Sequence, residues 1–198
     1  MTVNLAHLQY RLFIRWVFAC TLGMLAGFAL SYAAVIIAQA LVERVNEDRL
    51  LGAIMFEALA LMSTVAQWWV LRKEIERSTL WFPASIAGWL VLMVLAAYLG
   101  RQGLFATDKA AGRSLLAGIA GLVLGIAQWL PLRKSFRWAS IWIFGSVVGW
   151  SMLPLVIEQS IYSIFQMALL GAIPAISTGV VLVLLKAQVS AKGEALAA

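Results

Sequence analysis

The chain has one cysteine, Cys20, and one histidine, His7, in 198 residues. One thiol cannot close a disulfide or build a cysteine-based metal site within the chain. Haem and most transition metals are held inside bundles by imidazole or thiolate ligands, so neither a resident metal nor a redox cofactor is expected. Charge is also scarce. Asp, Glu, Lys and Arg make up 12% of the residues, about half the usual share of a soluble domain. No apolar segment offers a Ser-His-Asp set, a metal cluster or paired carboxylates, and no glycine loop follows a strand to cradle phosphates. With short connections throughout, an enzyme is not expected. Basic runs interleaved with aromatics on a polar face are missing as well, which argues against nucleic acid as a partner. The net charge of +6 reads instead as orientation in a membrane and contact with anionic lipid heads.

What the chain has in abundance is hydrocarbon. Hydrophobic residues make up 63% and the mean hydropathy is +0.92. A soluble protein of this length could not hide so much apolar surface, and disorder is excluded by the same composition. Six continuous apolar segments, near 13–42, 50–72, 79–100, 113–133, 137–158 and 162–186, have the length of a helical span, about 20 residues. They do not alternate as membrane strands do. The fold class expected is all-α, a single transmembrane bundle of about six helices over residues 1–198. The first apolar run is about twice the length of a signal-peptide core, so it is read as a retained helix. With the N-terminus in the cytoplasm, the inner segments carry ten basic residues: Arg11, Arg15, Arg72, Lys73, Arg77, Arg133, Lys134, Arg137, Lys186 and Lys192. The outer ones carry five: Arg44, Arg49, Arg101, Lys109 and Arg113. This bias predicts both termini inside.

Shifted by 61 residues, the chain aligns with itself without a gap. Ala66-Gln67-Trp68 meets Ala127-Gln128-Trp129, and Leu71-Arg72-Lys73 meets Leu132-Arg133-Lys134. Trp81, Ser85 and Gly88-Trp89 meet Trp142, Ser146 and Gly149-Trp150, so ten of the 24 positions from 66 to 89 are identical. The repeat is a helical hairpin, 50–100 and then 111–161, with both copies running in the same sense. Between the first helix (13–42) and the last (162–186), the two hairpins form a parallel tandem repeat. The pattern Gln-Trp-x-x-Leu-Arg followed by Trp, Ser and Gly-Trp resembles a family of small multi-pass bacterial membrane proteins of cyanobacteria and Chloroflexi. That resemblance covers both hairpins and the glycine-rich last helix. It implies a bacterial plasma or thylakoid membrane and carries no activity with it.

The repeated motifs have physical readings of their own. Trp68 and Arg72, like Trp129 and Arg133, are four apart and share a helical face, where ring and guanidinium can stack. They suit an interface anchor. A sharper alternative is a cytoplasmic basic surface of Arg72, Lys73, Arg133, Lys134 and Arg137, gripping a partner or a lipid head. Trp81, Ser85, Gly88 and Trp89 form one stripe, repeated by Trp142, Ser146, Gly149 and Trp150. The small residue between two rings makes a notch for a neighbouring helix, or for a lipid tail, quinone or carotenoid. Gly118, Gly121, Gly125 and Gln128 form a close-packing seam. In the first copy the same positions are Glu57, Ala60, Thr64 and Gln67, a polar seam. Glu57 lies about 10 Å inside its span, where an unpaired charge costs about 2.5 kcal/mol or more. Its face is expected to point into the protein, as a proton- or cation-responsive site with Thr64 and Gln67, or as a neutral acid bonded to a neighbour. Pro154 and Pro174 fall within the fifth and sixth helices and are expected to shape packing.

Three functions fit these features. The first is a non-catalytic accessory or scaffold protein of a larger membrane complex or a homo-oligomer. The second is a binder or carrier of an apolar molecule, a bound lipid, quinone or carotenoid. The third is a small proton- or cation-linked transporter using Glu57.

Overall fold

The computed structural model describes residues 5–41, 47–102, 110–156 and 163–197. Among these are six α-helices and no strand: α1 (Leu5–Leu41), α2 (Glu47–Leu71), α3 (Trp81–Arg101), α4 (Ala110–Leu132), α5 (Ile141–Val156) and α6 (Ile164–Ala197). A short 3-10 turn, Ser78–Leu80, leads into α3. Four helices are long and apolar enough to span a membrane, over Gln9–Ala40, Ser78–Arg101, Ala110–Leu132 and Ile164–Val189. The described apolar parts of α2 and α5 are shorter, Phe56–Leu71 and Ile141–Val156. Sixteen residues reach only about 24 Å at 1.5 Å each, below the roughly 30 Å hydrocarbon thickness. The α2 helix as a whole, Glu47–Leu71, has 25 residues and after Arg49 carries one charge, Glu57. The described part of α5 stops at residue 156. In α5 the expected start at 137 is taken up by a turn.

That turn has an earlier counterpart. Arg72 and Ile75 donate backbone N–H bonds to Trp68 and Leu71, and Glu74 also donates to Leu71. Sixty-one residues later, Arg133, Phe136 and Ser135 do the same toward Trp129 and Leu132. These bonds occupy the carbonyls that a helix end leaves open. They also fold Ile75 and Phe136 back into the interior, where both are buried.

Each helix packs antiparallel on its chain neighbours, and α6 closes against α1. Glycines set the closest approaches. Gly23 and Gly27 of α1 face the α2 backbone at Ser63 and Leu59. A Cβ on Gly121 would lie 2.5 Å from the carbonyl oxygen of Ser146 in α5. Gly149 of α5 faces Pro174 of α6, and Gly171 of α6 faces Thr21 of α1. Such contacts replace a hydrophobic driving force that is absent between helices in lipid. Pro174 thus stands at a crossing point of two helices. The carbonyl it presents accepts the Thr178 hydroxyl at 2.7 Å.

The interior is layered. At the end bearing the two turns, hereafter the near end, one cluster gathers Trp16, Leu71, Trp81, Leu132, Trp142 and Leu185, all fully buried. Deeper, a second cluster holds Met24, Ala60, Trp89, Leu92 and Leu124, with Phe56 and Trp150 packed on it.

Candidate functional site

Three indoles meet at the near end. Trp16 of α1 lies 6.2 Å from Trp81 of α3 and 5.5 Å from Trp142 of α5, and Trp81 lies 5.6 Å from Trp142. All three pairs are edge-to-face, which the ring quadrupoles favour. Trp81 and Trp142 were singled out in the sequence as a repeated stripe. Trp16 was not, although a signal exists. Trp16, Cys20, Gly23 and Met24 repeat the spacing of Trp81, Ser85, Gly88 and Trp89. The match is hidden because Cys replaces Ser, Met replaces Trp, and the offset is 65 residues instead of 61.

A polar layer lies beside the indoles. Trp142 Nε1 donates to Gln128 Oε1 at 3.1 Å. Gln128 Nε2 donates to Gln67 Oε1 at 3.1 Å and to the Ser85 hydroxyl at 3.3 Å. Trp16 Nε1 donates to the Thr178 hydroxyl at 3.0 Å. The structure therefore joins Gln67, Gln128, Ser85 and Trp142 into one network. Thr64 and Ser146 are buried without hydrogen-bond partners for their hydroxyls, and so is Trp81 Nε1. A cavity of about 30 Å³ opens here, lined in part by Cys20, Ser63, Gln67, Gln128 and Thr178. It has room for one water and enough polar groups to hold it.

The notches in the two stripes are filled by helices. Gly88 lies against Ala127 and Leu124 of α4, and Gly149 lies against Pro174 and Ser177 of α6. A neighbouring helix thus occupies each notch. Trp89 and Trp150 have a different setting. Their rings lie 5.8 Å apart, edge-to-face, and Phe56 meets Trp89 at 5.3 Å. Together they line a larger cavity of about 410 Å³ between α3, α4 and α5 in the far half of the bundle. The rest of its lining is aliphatic, including Leu92, Leu99, Ala117 and Ala120, apart from one charged residue, Arg113. Nothing in the repeat pattern pointed to Arg113 as part of a site.

The orientation expected for Glu57 is corrected. Its side chain is exposed, heading a stripe of exposed residues at Leu61, Val65 and Trp69. Ala60 and Thr64 of the same seam do face inward. The difference from the second copy lies in the partner helix. Gly118 is covered by Ser151 of α5. The residue of α3 at the corresponding place, Leu90, is itself exposed. An exposed carboxylate on the flank of a spanning helix meets lipid, so its charged form stays costly there.

The basic residues Arg72, Lys73, Arg133, Lys134 and Arg137 are all exposed at the near end. The Arg72 guanidinium lies 5.8 Å from the Trp68 ring centre, and that of Arg133 lies 5.1 Å from Trp129. The four-residue stack thus forms in both hairpins. Lys186 of α6 instead pairs with Glu74 in the first turn, at 3.1 Å.

Comparison with family models, curated proteins and solved structures finds no match.

Proposed function

We propose that the chain is a non-catalytic integral membrane protein that holds an apolar molecule in the cavity between α3, α4 and α5. One observation carries this reading. A space of about 410 Å³ lies in the far half of the bundle, lined by Phe56, Trp89 and Trp150 together with aliphatic side chains. Its volume is within the range of small-molecule sites, and a concave apolar lining with few polar groups is what such sites have. We read the bundle as three like hairpins, α2–α3, α4–α5 and α6–α1, joined at the near end by their tryptophans. That end is sealed by Trp16, Trp81 and Trp142, so an apolar occupant is reached from the far half. The basic near end, with both termini, is placed in the cytoplasm, and the membrane is a bacterial plasma or thylakoid membrane.

The test is lipid extraction and mass spectrometry of the purified protein beside a variant with the cavity filled, Ala120→Trp. One enriched lipid, quinone or pigment that the variant loses supports the reading. Equal extracts from both proteins contradict it.

The accessory role is supported by a separate observation. A furrow of about 580 Å³ runs along the outer side of α5 and α6, lined by Phe144, Met152, Val156, Ile176, Val180 and Leu184. A furrow between two helices is a place where a third apolar helix can lie. Co-purification of a membrane partner, abolished by Phe144→Ala with Val180→Ala, would favour this role over ligand binding.

A further inference from the structure

We propose that the occupant of this cavity is an anionic membrane lipid, its acyl chain lying between Trp89 and Leu99 and its negatively charged head on Arg113. The inference rests on the functional reading above and adds the chemical class of the ligand. Arg113 is the one charged residue among the described residues lining the cavity. Its Nε is buried and has no hydrogen-bond partner, and the hydroxyl of Ser114, next in the chain, is in the same state. A guanidinium stays charged and presents five donors in a planar fork. Arg113 as a whole is half-buried, and its unanswered Nε–H is the part that an acceptor would satisfy. An anion in the cavity mouth supplies that acceptor.

The position of Arg113 strengthens the argument. It lies in the first turn of α4, which contains no acidic residue. A cation there opposes the helix dipole. An anion placed beside it is attracted both by the guanidinium and by the N–H groups of the first turn. Below Arg113 the described lining residues carry no second charge. From Leu99 down to Trp89 the cavity follows α3 for ten residues, about 15 Å. An acyl chain fits such a slot along its length. A neutral quinone or carotenoid would fill the slot equally well but would leave Arg113 unanswered.

The experiment uses the full-length protein, reconstituted in vesicles of equal phosphatidylglycerol and phosphatidylcholine and recovered in mild detergent. Bound lipid is counted by native mass spectrometry. The wild-type protein is expected to retain phosphatidylglycerol about fivefold over phosphatidylcholine, the effect of one arginine on an anionic head. Arg113→Gln brings the ratio to about one, whereas Arg113→Lys keeps a preference. If Arg113→Gln does not fold, Arg113→Met takes its place. A wild-type ratio of one, or a preference that survives loss of the charge, overturns the assignment of the head group. Ala120→Trp separates the two levels. If it lowers total bound lipid while the ratio ignores Arg113, only the head-group inference fails. If total lipid is unchanged by Ala120→Trp, the cavity reading fails with it.

Discussion

Trp142 donates its indole N–H to Gln128 at 3.1 Å, while the indole N–H of Trp81, at the corresponding place in the first hairpin, is buried without a partner. The matching amide oxygen, Gln67 Oε1, accepts from Gln128 Nε2 instead. The two hairpins present the same residue types and end with different bonds.

This asymmetry separates two conservative substitutions. Trp142→Phe strands Gln128 Oε1, whereas Trp81→Phe removes a donor that had no acceptor. Both lose similar ring volume. Trp142→Phe is therefore expected to destabilise the protein by about 1 kcal/mol more than Trp81→Phe. Reversible unfolding in mixed detergent micelles measures the difference.

Trp16 holds the indole cluster together. It makes edge-to-face contacts with both other rings and the bond to Thr178. Trp16→Ala is expected to cost about 3–5 kcal/mol, more than loss of any exposed tryptophan. The comparison is Trp69→Ala in the same assay, since Trp69 is half exposed.

The glycines should differ by what lies opposite. A Cβ at Gly121 meets the backbone oxygen of Ser146 at 2.5 Å, and backbone cannot retreat. At Gly145 it meets a methyl of Val181 at 2.7 Å, a side chain and not backbone. Gly121→Ala is expected to cost about 1–3 kcal/mol and Gly145→Ala less than about 1 kcal/mol. Thermal denaturation of the two variants in the same detergent ranks them.

Glu57→Gln should change little. The side chain is exposed and lies away from the Gln128 network and from the cavity. Stability is expected to stay within about 0.5 kcal/mol of wild type, with retained lipid unchanged. A large shift in either would show that the carboxylate has a role the exposed position does not explain.

The helical architecture was legible because continuous apolar runs leave few alternatives in lipid. The inward packing of the stripe residues Trp81 and Trp142 followed from one repeated pattern. The inward Gly118–Gly125 seam followed as well, since small residues at helical spacing mark close approach. Trp16 was missed because its hairpin partner, α6, lies at the other end of the chain, so no single shift brings the pair into register. Glu57 was misplaced because sequence equivalence was carried over to packing. Whether a seam is covered depends on the partner helix, and α3 leaves uncovered what α5 covers. The cavity was not legible at all. It arises where α3, α4 and α5 separate beyond Gly88, and a sequence records the side chains there without recording the space between them.

The most direct test is the native mass of the wild-type protein released from the mildest detergent that keeps it folded. The account predicts one lipid-sized adduct per chain, absent from Ala120→Trp. A bare chain mass for wild type, or the same adducts on both proteins, would contradict it.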